Sequence, residues 1–311
     1  MEGNGAGISA PAWRRAREAA NAGDAAGALA LLEQVALEGL DEADRLETAL
    51  CRAACLVRLG RAGEAAEPLA VARALAPRDW RVADAEGTAL SAAGKPAGAV
   101  EKHREACRLA PAEPAGALAW FNLADALERA GDAAPLDETL DAYRRAIDLD
   151  REFAPPHDRL GKLMLRAGDP AAAAAAFEEL SHVRPRWPGL YLAWGDALAA
   201  AGDRDGAMAR YRTCVGTDTE REVPALVRLA RLLREGGDLA SARAALGEAL
   251  HEDPFYFLAH AESGMCLLEQ GRTAEAAAEL ARALQLLELS AEGPAHRAWI
   301  EEALRGARAQ D

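Results

Sequence analysis

Two pairs of residues in this chain have the spacing of metal ligands. Cys51 and Cys55 stand one helical turn apart, and so do His103 and Cys107. Together they would offer the four soft ligands that structural zinc takes. His157, behind Pro155 and Pro156, and His182 are lone histidines with no serine or cysteine beside them in a nucleophile motif. His251, Glu252 and Asp253 make a short polar run that the polarity of a loop accounts for. Arg228, Arg231 and Arg234 form a stripe one turn apart, and guanidiniums so placed repel one another unless carboxylates lie close. Glu235 and Asp196 would supply these within the chain, and acidic groups of a partner would supply them in a complex. Whether any of these residues does chemistry depends on the elements that carry them.

Half of the 311 residues are apolar, yet only 5% are aromatic, and alanine dominates the apolar half. Helices with small side chains must pack closely against many neighbours, because no single residue brings much area. Runs of β-branched residues with period two are absent, so the expected class is all-α. The net charge of −14 repels phosphate backbones, which excludes nucleic acid as the main ligand and points to solubility and basic partners. The three lysines, Lys95, Lys102 and Lys162, against thirty-three arginines reflect a GC-rich genome. No apolar run of about 18 residues is present, so no membrane-spanning helix is expected. Residues 1–10 are glycine-rich and lack the basic-then-apolar order of a secretory signal, so a flexible N-terminus is expected there. Five scattered cysteines do not make a disulfide framework and fit a reducing cytoplasm.

The strongest signal is a repeat. A short glycine turn recurs with its glycine at 23, 60, 94, 131, 168, 202, 237 and 271. The intervals are 37, 34, 37, 37, 34, 35 and 34 residues. A glycine in the left-handed conformation ends one helix before the next begins. Prolines follow seventeen residues later at Pro77, Pro111, Pro185 and Pro254, where they close the repeat. Seven residues before the turn stand Ala53, Gly87, Ala124, Gly161, Gly195, Ala230 and Gly264. Five after it stand Ala28, Ala65, Ala99, Ala173, Ala207, Ala242 and Ala276. Nine after it stand Leu32, Leu69, Phe177, Tyr211, Leu246 and Leu280, large enough to fill the space the small residues leave. This frame separates the two ligand pairs by two intervening helices at about 8–10 Å each, so shared zinc coordination is not expected. With no strand, no phosphate loop has a place either.

These residues resemble the tetratricopeptide repeat family, whose unit of two antiparallel helices has 34 residues. Trp120, Leu123, Ala124 and Leu127 follow the first half of its pattern, and Ala207, Tyr211 and Cys214 the second. The resemblance covers residues 11 to 288. It implies a right-handed superhelical solenoid of about eight helix hairpins. A further helix over 291–308 would cap it, with Pro294 in its first turn and Trp299, Ala303 and Leu304 as its apolar stripe. His103 replaces the usual apolar filler, the first repeat carries few signature residues, and the fourth turn gains three residues around Pro135, Leu136 and Asp137.

The family lines its concave groove with the first helix of each pair, at places ten, six, three and two residues before the turn glycine. Carried onto this chain, those places give Phe121, Asp125, Glu128 and Arg129, then Asp158, Lys162, Leu165 and Arg166. Leu192 and Asp196, Val227, Arg231 and Arg234, and Met265 and Leu268 follow. Apolar and charged side chains alternate, which suits an extended peptide or a partner helix. The lysines and asparagines of the family's carboxylate clamp are nearly absent, which disfavours a chaperone-tail adaptor. Trp187, Tyr191 and Trp194 are at core spacing and would serve second as stacking platforms. The resemblance implies a protein-binding scaffold without cofactor or metal and without a catalytic residue. Two other readings stay open. One is a peptide sensor, although helices starting near Pro11 leave no room for a DNA-binding domain. The other is a place in enzyme chemistry, as a non-catalytic subunit of an enzyme complex or as an enzyme using an unrecognised polar cluster, and the latter would show a deep pocket with strongly shifted pKa values.

Overall fold

Each turn glycine is a point where one helix is made to stop. Gly23, Gly60, Gly94, Gly131, Gly168, Gly202, Gly237 and Gly271 all hold positive φ, between 62° and 91°, which no other residue type adopts among the described residues. In five of the turns the next residue is an aspartate, and four of these lie among the described residues and start the following helix. Asp24, Asp169, Asp203 and Asp238 each accept a hydrogen bond from the backbone N–H three residues on, at 2.8, 3.0, 2.9 and 3.0 Å. A cap of this kind contributes about 1 kcal/mol. Stop and start are thus written into two adjacent residues.

The structure is a computed structural model and describes residues 9–35, 40–131, 135–289 and 293–309; no strand occurs among them. The expected flexible start therefore lies outside the described residues up to position 8, and so do 132–134 of the lengthened fourth turn. The helices fall into two compact units, which meet in sequence between Pro156 and His157. The first holds α1 (Ser9–Asn21), α2 (Ala25–Glu33), α3 (Glu42–Arg58), α4 (Ala66–Leu75), α5 (Trp80–Ala92), α6 (Pro96–Leu109), α7 (Ala117–Ala130) and α8 (Leu136–Leu149). α9 (Ala154–Arg166) begins at the border. The second continues with α10 (Pro170–Val183), α11 (Leu190–Ala200), α12 (Arg204–Val215), α13 (Glu222–Glu235), α14 (Leu239–Glu252), α15 (Phe257–Glu269), α16 (Thr273–Leu287) and α17 (Gly293–Ala309).

From α1 to α8 and from α10 to α17 each helix packs on the next in sequence, and first helices of neighbouring pairs also touch, as α3 does α5 and α13 does α15. The packing rests on the expected small residues. The seven alanines five places after the turn have no accessible surface at all. The large residue nine places after the turn sits directly on the small one seven places before it. A Cβ added to Gly161 would lie 2.8 Å from the Phe177 ring, and one on Gly264 2.7 Å from the Leu280 side chain. Gly195 leaves still less room under Tyr211. His103 takes the same seat over Gly87, with its ring 2.7 Å from such a Cβ. In the lengthened fourth hairpin the frame slips by three residues, so that buried Thr139 and Tyr143 take the places of alanine and filler.

At the C-terminal end α17 lies on α16 and α15. Ile300, Leu304 and Ala307 are buried in one cluster with Phe257, Ala261, Leu280, Ala283 and Leu287. Trp299 and Ala303, expected in the stripe, flank it half-buried, while Ile300 and Ala307 carry its centre. On α15, His260 lies between two acceptors. Its Nδ1 is 2.7 Å from a Glu279 carboxylate oxygen and its Nε2 3.0 Å from the Pro254 carbonyl oxygen. Only the imidazolium donates to both. The Glu279 bond holds its pKa above the ordinary histidine value, with burial and Arg282 opposing.

Two measurements check this account. Gly195→Ala and Gly264→Ala each press a methyl into a filled seat and should lower stability by about 1–3 kcal/mol in urea unfolding. Gly247→Ala on α14, where an added Cβ meets nothing within 4 Å, should raise it by up to about 1 kcal/mol. Equal losses at all three would discard the seat as the reason. For His260, the folded state holds a proton that the unfolded chain releases at lower pH. Its contribution is therefore complete below the unfolded pKa of about 6.5 and lost as pH rises through the higher folded value. His260→Gln should flatten that decline in a series of unfolding curves across neutral pH.

Candidate partner-binding surface

The inferred groove residues of the second unit lie on α9, α11, α13 and α15. On α11, Asp196 Oδ1 accepts the Tyr211 hydroxyl at 2.8 Å and the Arg228 Nε of α13 at 2.7 Å. Burial pushes the Asp196 carboxyl up, with Arg228 pulling the other way. Burial and the same aspartate hold the Tyr211 phenol well above its usual value. One turn on, Arg231 Nε donates to Glu262 of α15 at 2.6 Å, and Arg234 Nε reaches the other Glu262 oxygen at 3.3 Å. Arg234 also donates to Glu269 at 2.6 Å. Glu262 is only 2% exposed, so two guanidiniums neutralise a carboxylate inside the protein. The acidic neighbours that the arginine stripe needs are therefore Asp196, Glu262 and Glu269. Glu235 stands 4.0 Å from Arg234.

The other proposed residues distribute as follows. Asp158 is buried, with Oδ2 on Lys162 Nζ at 2.8 Å and Oδ1 without a hydrogen-bond partner among the described residues. Lys162 and Arg166 are exposed, while Leu165, Leu192, Met265 and Leu268 are half-buried. Val227 is 2% exposed and belongs to the core of the second unit. In the first unit Phe121 packs edge-on to Phe153 at 5.4 Å and tilted to Tyr143 at 6.0 Å. Asp125 pairs with the exposed Arg129 at 2.7 Å, and Tyr143 donates to Glu128 at 2.7 Å. Trp194 is buried beneath the Arg210 guanidinium, 4.0 Å from its ring, and Tyr191 stacks on it at 6.3 Å. These rings are occupied by their own neighbours.

The sequence reading missed how the first helices are tied together. The residue nine before the turn glycine reaches back to the preceding first helix. Arg228 bonds Asp196, Glu262 bonds Arg231, and Asn122 of α7 donates to both oxygens of Asp84 of α5 at 3.1 and 2.9 Å. His103 Nδ1 lies 2.9 Å from that same Asp84. The repeat frame itself was the signal, since all three residues share one register position. Cys51 and Cys55 lie on α3, and His103 and Cys107 on α6. Burial pushes the Cys51 and Cys107 thiols up to about 12, and Cys214 and Cys266 up to about 11. These thiols stay protonated and apolar in character.

The profile of the tetratricopeptide repeat family matches residues 159–218 and 227–297. No curated protein sequence matches the chain. Among solved structures, a tetratricopeptide repeat protein from Parabacteroides merdae is 17% identical, with TM-score 0.51 over 85% of this chain and 99% of that one. The C-terminal part of a repeat-containing protein from Cytophaga hutchinsonii is 16% identical, with TM-score 0.60 over 78% and 95%. YrrB, described as a TPR protein with an unusual peptide-binding site, is 19% identical, with TM-score 0.51 over 67% and 99%. At these identities the likeness is one of fold. Helix pairs seated through small residues at fixed places and the profile match identify residues 159–218 and 227–297 as tetratricopeptide repeats, and the solved structures share the architecture over most of the chain.

Proposed function

We propose that the chain is a non-catalytic scaffold or adaptor that holds a partner protein or peptide on the faces of its first helices. The array would run over 11–288, with the helix at 291–308 as its cap. The observation that supports this reading is the continuous face made by α11, α13 and α15, joined by Asp196–Arg228 and Arg231–Glu262. Half-exposed aliphatic and charged side chains alternate along it, a composition that serves recognition. Lys162, Arg166, Leu192, Arg231, Met265 and Leu268 would contact the partner in the second unit, and Phe121, Asp125 and Arg129 in the first. YrrB shares the fold and is described as binding a peptide.

An enzyme subunit would call for a pocket with groups poised to titrate. The cleft of about 660 Å³ beside α4 and α5 is lined mainly by small and aliphatic residues, with Glu86 held between Arg73 and Lys102. Burial pushes the Glu86 carboxyl up, but the hydrogen bonds and charges of Arg73 and Lys102 together hold it below its ordinary value, so it is an ion-paired carboxylate rather than a base. The five unpaired thiols suit a reducing compartment such as the cytoplasm.

Affinity capture from the native host, read by mass spectrometry, tests the proposal with surface variants. Lys162→Glu combined with Met265→Glu should reduce the captured partner at least tenfold with unchanged helical content. Glu248→Lys, exposed on the second helix α14, should leave capture intact. The reverse pattern would move the binding surface off the first helices.

A further inference from the structure

We infer that Arg228 and Arg231 form a receptor for an acidic side chain inside the partner segment, resting on the groove reading above. A guanidinium has five N–H donors. Arg228 spends its Nε on Asp196, and one Nη makes a long 3.4 Å bond to the Pro224 carbonyl. Among the described residues Arg231 spends only its Nε, on Glu262. The side chains keep 37% and 42% of their surface, whereas Arg234, bonded to Glu262 and Glu269, keeps 13%. Of the three arginines in the stripe, two therefore present unused Nη donors to the face and one is consumed internally.

The two are also held in place. Glu262 is buried behind Arg231, and Asp196 is fixed behind Arg228 by the Tyr211 hydroxyl. Each carboxylate takes the Nε edge of its arginine, which turns the Nη edge away from it. Preorganised donors lose less entropy on binding than a free arginine does. Three residues along a helix make about 4.5 Å of rise, a separation that one carboxylate spans by accepting from both. Half-buried Leu192 on α11 and Met265 on α15 lie to either side. A bound chain thus has aliphatic surface to cover both before and after its acid, which places that acid within the segment and not at its end.

The test uses the full chain and fluorescent nonapeptide pools, acetylated and amidated, with flanks randomised and the central residue fixed as Glu, Gln or Lys. By anisotropy, the Glu pool should bind at least tenfold tighter than the Gln pool, and the Lys pool weakest. R228Q/R231Q should abolish that preference. R228K/R231K, which keeps both charges and the partners behind them, should also lose most of it while unfolding at the same denaturant midpoint. Equal binding of the Glu and Gln pools would overturn the receptor and leave the groove reading standing. So would a Gln pool with a free C-terminal carboxylate that binds as tightly as the capped Glu pool. Failure of every pool to bind would remove the groove reading and the receptor with it.

Discussion

The contact between a large side chain on one helix and a hydrogen or methyl on its hairpin partner sets the geometry of this protein. Phe177 on Gly161, Tyr211 on Gly195 and Leu280 on Gly264 hold two helix axes at the short distance that alanine-rich faces need. Without that approach the fully buried alanines would touch nothing, since a methyl reaches only a few ångströms. The seat also tolerates polarity when something answers it. His103 fills it over Gly87, and its ring nitrogen meets Asp84, which Asn122 meets from the next first helix. Tyr143 and Tyr211 fill it with a ring while their hydroxyls reach Glu128 and Asp196 on the facing helix.

This coupling carries the core outward to the surface. Tyr211 positions Asp196, Asp196 holds Arg228, and on the next helix the same logic holds Arg231 and Arg234 on Glu262. Exposed ion pairs alone contribute little. The Glu262 pairs differ because that carboxylate is buried and cannot be left unpaired without a cost of several kcal/mol, whereas Asp196 and Arg228 both stay partly exposed. The polar ties therefore fix the register between first helices, while the apolar seats supply the attraction.

Sequence alone disclosed what is local and repeated. The glycine turns were legible because a positive φ selects one residue type, and the alanines because close packing selects another. The same frame located the fillers, including His103 as the odd one. Pairings between repeats were harder to read. Glu235 and Asp196 are the obvious carboxylates near the arginine stripe, yet Glu262 and Glu269 lie about one repeat away and do more. Val227 illustrates the opposite error of position. It occupies a family groove place, but its β-branched side chain turned inward to the core. In α17 the expected stripe of Trp299, Ala303 and Leu304 reaches the core through Leu304, whereas the deepest burial falls to Ile300 and Ala307. Periodicity gives a helix face to within about one residue, and which neighbour fills it is a tertiary decision.

Net charge and local charge lead to different partners here, and distance decides between them. The total of −14 favours basic partners at long range. At physiological salt, fields from dispersed exposed charges fade over about 8 Å. Within that distance of the α13 face, Arg228 and Arg231 are each paired through Nε, with the partly exposed Asp196 and the buried Glu262. An approaching acid would then feel the outward Nη donors more than the distant surplus of carboxylates. Global acidity would slow its arrival without weakening the contact, because steering acts on association and hydrogen bonds act on release.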